Sequence, residues 1–232
     1  MLALVGIDRS KALASQVTEQ LEDAILRGLL APGEEVPQLK LAKQFGVSQA
    51  AIREALQELE HRGLVIKRGR TKTVTDFSEE DLANLFQVRL ALEPLACRLA
   101  ATHFTEALRL DLEEQLARMQ KSADEGNTRA HIRCDLQFHR TIWAGQPNRY
   151  LDQHLNQVCS SLFAYELVRR TQANYLDFAW NMRQTAMIFR TLRTRDGDLA
   201  ERVSRRTITR FYRRDTSDYR QIGGAPIPGA AE

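Results

Sequence analysis

A chain of 232 residues with 43% hydrophobic and 27% charged side chains lies in the globular range and is long enough for one large domain or two modest ones. Its most apolar stretch, Leu82 to Leu92, is broken by Asn84, Gln87 and Arg89, short of the roughly 20 residues a membrane span needs. A net charge of +3 is too small to imply a polyanionic partner by itself.

The opening MLALVGIDRS has neither a basic leader nor a cleavage pattern, so a soluble cytoplasmic protein without membrane contact is expected. Cys97, Cys134 and Cys159 are widely spaced and form no C-x-x-C pair, which argues against a zinc knuckle, a redox motif or a disulfide framework.

Residues 10 to 29 set Leu13, Val17, Leu21, Ala24 and Ile25 at helical spacing, with Ser10 as N-cap and Gly28 and Pro32-Gly33 as stops. A short helix follows over 37 to 45, its buried side formed by Leu39, Leu41, Ala42 and Phe45. Gly46 suits the left-handed position after a helix, and Ser48 caps a third helix over 49 to 61. Ile52, Ala55, Leu56 and Leu59 form its inward stripe, and Gly63 ends it. The pattern then turns extended: LVIK and TKTVTDF flank Arg68-Gly69-Arg70-Thr71 as a small hairpin. Helix, turn, helix and hairpin over 10–76 make a winged helix-turn-helix.

A helix-turn-helix reads double-stranded DNA because its second helix fits the major groove. The candidate contacts on that helix are Ser48, Gln49, Ala50, Ala51 and Arg53: an amide for adenine, a guanidinium for guanine or phosphate, and a hydroxyl for phosphate. Lys67, Arg68, Gly69, Arg70 and Lys72 form a wing for the phosphate backbone, in a stretch from Arg62 to Thr75 that holds no acid.

From Ser78-Glu79-Glu80-Asp81, a serine cap with acids in the first turn, the periodicity is helical again. Helices are expected at about 79–102, 105–125, 128–144, 148–170, 174–194 and 197–214, giving an all-α bundle over 79–214 and a disordered tail over 215–232. The fold class is mostly α.

LRGLLAPGEEV and LAKQFGVSQAAIREALQELEHRGLV resemble the N-terminal domain of GntR-type bacterial transcription regulators. The resemblance departs at Gln49, where the family usually has arginine, and at Gln38-Leu39, where it usually has Glu-Arg. Arg89, Leu92-Glu93, Leu99-Ala100-Ala101, DLQFHRTIWAGQPNRYL and RTLRTRDGDLAERV resemble the ligand-sensing FCD domain of the FadR-like branch. A homodimeric repressor that senses a small organic acid or related metabolite is what the resemblance implies. The alternative is a DNA-binding regulator with a degenerate, ligand-independent dimerisation domain.

Many such domains hold a divalent metal with one aspartate and three histidines. Asp135 and His139 stand at i and i+4, one helix face, and supply two ligands. The other two positions carry Thr185 and Thr207, and hydroxyls are poor ligands. No cofactor is therefore expected, and an aspartate–histidine hydrogen bond in a polar cavity replaces the metal. Arg89 lies in register with Leu85, Leu92 and Ala96, so it pairs either with Glu93 one turn on or with an effector carboxylate. In the second case His139, Thr185 and Thr207 add neutral hydrogen bonds, with Asn181 and Arg183 as weaker candidates. No phosphate loop, Gly-x-Ser-x-Gly or His-Glu-x-x-His is present, so no enzyme is expected.

Arg53→Ala abolishes specific operator binding in a gel-shift assay; unchanged affinity moves the reading surface elsewhere.

Overall fold

The computed structural model describes residues 9–173 and 175–221, with side chains over 13–173 and 175–214. Two compact units result, one ending at Asp76 and one beginning at Phe77.

The first unit contains α1 (Arg9–Leu26), α2 (Gln38–Phe45), α3 (Gln49–His61), β1 (Val65–Arg68) and β2 (Thr71–Val74). α1 and α2 both pack on α3. Val17, Leu21 and Ile25 of α1 are buried with Ile52, Leu56 and Leu59 of α3, while Leu64, Val65 and Val74 close the core below the hairpin. Removing each such side chain from water contributes about 1.5–3 kcal/mol, the main stabilisation in so small a unit. Gly46 ends α2 at φ 65°, and the Ser48 hydroxyl opens α3 by accepting from Ala51 N–H at 3.2 Å. Ser10 lies inside α1 rather than at its cap. Leu13 and Leu39 are both exposed, Leu39 at 56%, because each falls one step off its helix's buried stripe.

β1 and β2 pair antiparallel, Val65 opposite Val74 and Lys67 opposite Lys72. Their two-residue loop starts at Gly69, φ 61°, the glycine-first arrangement of a type II′ hairpin. A third segment joins the sheet edge: Glu35 bridges Thr73, and Val36 N–H donates to Lys72 O at 2.9 Å.

The second unit contains α4 (Glu79–Thr102), α5 (Glu106–Asp124), α6 (Thr128–Ala144), α7 (Arg149–Ala173), α8 (Phe178–Arg193) and α9 (Gly197–Gln221). Ser78 and Asp81 cap α4 reciprocally, each accepting a hydrogen bond from the other's backbone N–H. α4 packs on α7 and α9, α5 on α6 and α8, and α6 on α7. Ala96, Cys97, Ala100, Phe138, Ile142, Trp143, Leu155 and Leu192 form its fully buried centre.

The largest departures from the expected boundaries are at α8 and α9, while α1 stops at Leu26 and α7 runs on to Ala173. α8 starts at Phe178 because Asp177 is its cap, accepting from Trp180 N–H at 2.9 Å. α9 runs to Gln221, so residues 215–221 continue that helix instead of starting a tail; the expected disorder over 222–232 lies outside the described residues. Pro94 sits inside α4, where its missing N–H leaves the Leu90 carbonyl without an intrahelical donor. Arg205 of α9 fills that place, donating through Nη1 to Leu90 O at 3.0 Å. Among the described residues no helix is long and apolar enough to cross a membrane.

Leu56→Ala, at a position with no solvent exposure, removes about 2–5 kcal/mol of stability from the first unit, read as an early transition in urea while the helical unit unfolds later.

Candidate DNA interface and effector cavity

α3 buries Ala51, Ile52, Ala55, Leu56 and Leu59 along one stripe, which turns the opposite side outward. Gln49, Ala50 and Arg53 are exposed there, and Ser48 precedes them. Ala51, expected among the outward positions, is 1% exposed and belongs to the core stripe instead. At the hairpin Lys67, Arg68, Gly69 and Arg70 are exposed. Lys72 differs from them: its Nζ lies 2.6 Å from Glu60 Oε2 and donates to Leu56 O at 3.3 Å. It ties β2 to α3 and is engaged within the protein. Of the cations expected to contact DNA, Arg53, Lys67, Arg68 and Arg70 are the ones that face outward.

In the helical unit a cavity of about 80 Å³ opens among α4, α6, α7, α8 and α9. Arg89, Asp135 and His139 reach its wall. Arg89 is 7% exposed, and its Nε donates to Glu93 Oε2. Its guanidinium also lies 5.2 Å from the centre of the Phe163 ring. Burial works to raise the Glu93 pKa, but Arg89 and His139 overcome it and hold the carboxyl well below its ordinary value. Arg89 is likewise pushed down by burial and up, by more, through Glu93. His139 Nδ1 approaches Glu93 Oε1 at 2.5 Å, while its Nε2 is 3.7 Å from Asp135 Oδ1, so the expected aspartate–histidine hydrogen bond is not made and His139 turns to Glu93 instead.

Asp135 is held from the other side by neutral donors. Asn181 Nδ2 donates to its Oδ2 at 3.1 Å and Thr185 Oγ1 to its Oδ1 at 3.3 Å. Asn181 Oδ1 in turn accepts from His131 Nε2 at 2.8 Å. Thr185 therefore acts behind Asp135 and does not line the cavity; Thr207, also buried, does not line it either. Arg183 is exposed and lies outside the wall.

Comparison with known proteins agrees with this two-unit arrangement. Residues 13–75 match the family described as bacterial regulatory proteins, gntR family, and residues 84–210 match the FCD domain. HTH-type transcriptional repressor NanR of Edwardsiella tarda is 31% identical over 215 residues, covering 83% of this chain and 81% of that protein. The chain belongs to the GntR family. It is a DNA-binding transcription regulator with a ligand-binding FCD domain. HTH-type regulator YdhC of Bacillus subtilis is 32% identical over 154 residues, 66% of this chain and 69% of that one. Among solved structures, E. coli McbR/YncC superposes with a TM-score of 0.68 at 21% identity, covering 89% and 98% of the two chains. A GntR regulator from Rhodococcus sp. RHA1 gives 0.63 at 18%, covering 92% and 99%.

Against the GntR-family metal ligand set, the donors here do not fit. Asp135 and His139 are two strong donors, and the remaining positions are the hydroxyls of Thr185 and Thr207. Asp135 accepts from Asn181 and Thr185, and among the described residues no group of three His, Cys, Asp or Glu is arranged to hold an ion.

Sequence reasoning missed the cations that α7 and α9 bring to the wall. Arg170 is buried, and its Nε donates to Glu166 Oε2 at 3.0 Å. Arg214 Nη2 donates to Asp177 Oδ2 at 2.9 Å and stacks 4.5 Å from the Trp180 ring. The signal for Arg170 was available: it stands in helical register with Cys159, Phe163 and Glu166, the same logic that singled out Arg89.

Arg89→Met leaves Glu93 as a buried charge and costs about 3–5 kcal/mol in chemical denaturation, while Arg89→Met with Glu93→Gln recovers most of it. Because the folded Glu93 pKa is depressed, the contribution of the pair is present above the ordinary carboxylate value of 4.5 and is lost progressively as pH falls below it.

Proposed function

We propose that the helical unit senses a small carboxylic acid with a planar, apolar body, without a resident metal, and that the chain represses transcription as a homodimer in the cytoplasm. The observation that carries the effector class is a pair of stacks on one cavity: Arg89 on Phe163 and Arg214 on Trp180. Phe86, Phe211 and Tyr212 extend the same wall. Aromatic faces attract a flat apolar body, and guanidiniums attract a carboxylate, so one molecule that combines both satisfies the cavity.

Repression is supported by the relatives called repressors, RspR of Escherichia coli among them at 25% identity over 228 residues. Dimerisation is supported by α4, where Val88 and Leu95 are exposed with Ala91 between them on one face. A two-fold pair built on that stripe matches the two half-sites of a palindromic operator. An acid that favours one arrangement of the pair shifts operator affinity by its difference in binding to the two.

Thermal-shift titration tests the effector class. Simple aromatic carboxylates raise the melting temperature by about 5–10 °C at a hundredfold excess over Kd, and Trp180→Leu loses the shift. Stabilisation by gluconate alone, or an unchanged shift in Trp180→Leu, overturns the assignment.

A further inference from the structure

The modest net charge of the chain conceals a strongly asymmetric region. α8 holds three arginines and no carboxylate, and residues 202–214 of α9 hold six arginines and no carboxylate. Some of these cations are occupied. Arg205 is bound to Leu90 O and pairs with Glu201 at 3.5 Å; Arg214 pairs with Asp177. The acids just before the run are occupied as well: Asp198 lies 3.1 Å and Glu201 3.2 Å from Arg98.

Arg202, Arg206 and Arg210 are different. All three are exposed, and among the described residues no hydrogen bond or ion pair engages them. They recur every fourth residue, so they stand on one face of α9, with Ala200, Ser204, Thr207 and Ile208 buried on the other. Each step advances about 6 Å along the helix, making a ridge of guanidiniums about 12 Å long. Like charges at this spacing destabilise a helix. The ridge lies in the middle of α9, away from the C-terminal turn where the dipole favours cations. Neither local helix energetics nor a partner among the described residues accounts for it.

We infer that this ridge is a second DNA-contacting surface, carried by the helical unit and directed at the phosphate backbone flanking the operator. The inference rests on the chain being a DNA-binding regulator. A duplex carries a phosphate on each strand about every 3.4 Å of helix axis, so a ridge of about 12 Å lies within reach of more than one of them. The guanidinium fork suits phosphate oxygens, and three arginines in line add affinity without reading sequence. Once α3 occupies its groove, the tethered helical unit meets neighbouring DNA at high effective concentration, so weak contacts suffice.

The test uses the full chain and an operator selected from a random duplex pool. Binding of wild type and of the R202Q/R206Q/R210Q variant is measured across salt concentrations on two duplexes. One duplex is trimmed to the half-sites; the other is extended by about one helical turn at each end. On the extended duplex the variant binds at least about tenfold more weakly near physiological salt, and its log–log salt slope falls by about 2.7 per chain. On the trimmed duplex the two proteins bind alike. An unchanged slope on the extended duplex overturns the inference, and so does an equal loss on both duplexes. Failure of wild type to select any duplex overturns the regulator reading itself, a separate result.

Discussion

Arg89 and Glu93 occupy adjacent turns of α4 at a depth where neither charge is tolerable alone. Their pairing lets charged groups stand beside Cys97 and Ala96 in the centre of the helical unit. His139 closes on the second oxygen of Glu93 and faces Asp135 with its other nitrogen, so α4 and α6 are joined by a chain of ionisable groups. Asn181 and Thr185 then fasten Asp135 to α8. The cavity wall is built on this chain. It can hold polar chemistry next to Phe163 and Trp180 because every buried charge in the chain already faces an opposite charge or a donor.

The DNA-binding unit solves a different problem. It is small, and α3 must serve both as its central core helix and as its reader. The five-residue stripe from Ala51 to Leu59 consumes the inner face, leaving Gln49, Ala50 and Arg53 outside. Lys72 is spent in the same economy of space: bound to Glu60 and Leu56, it braces the hairpin against α3, so the wing projects Lys67, Arg68 and Arg70 from a fixed base.

Much of this was legible from residue order. The caps at Ser48 and Ser78 and the stop at Gly46 are local signals, and the boundaries of α3 and α4 follow from them. Arg89 was visible as a cation in apolar register, although local spacing alone could not choose between Glu93 and a ligand. What remained hidden depends on contacts distant in the chain. Asn181 takes its role from Asp135, Lys72 from Glu60 and Arg214 from Asp177, and helical periodicity carries no information about such partners. Ala51 and Leu39 failed for a simpler reason: on a short helix, one residue of phase separates core from solvent.

The proline in the middle of α4 creates a dependence between two places far apart in the sequence. A helix that gives up one of its own backbone bonds needs a replacement donor, and here a side chain on the last helix provides it. Neither position is interpretable by itself: the arginine looks like surface decoration, and the proline like a defect. Together they form a tether between the first and last helices of the unit, fastened on the very turn that carries the buried ion pair, so bending of one is communicated to the other.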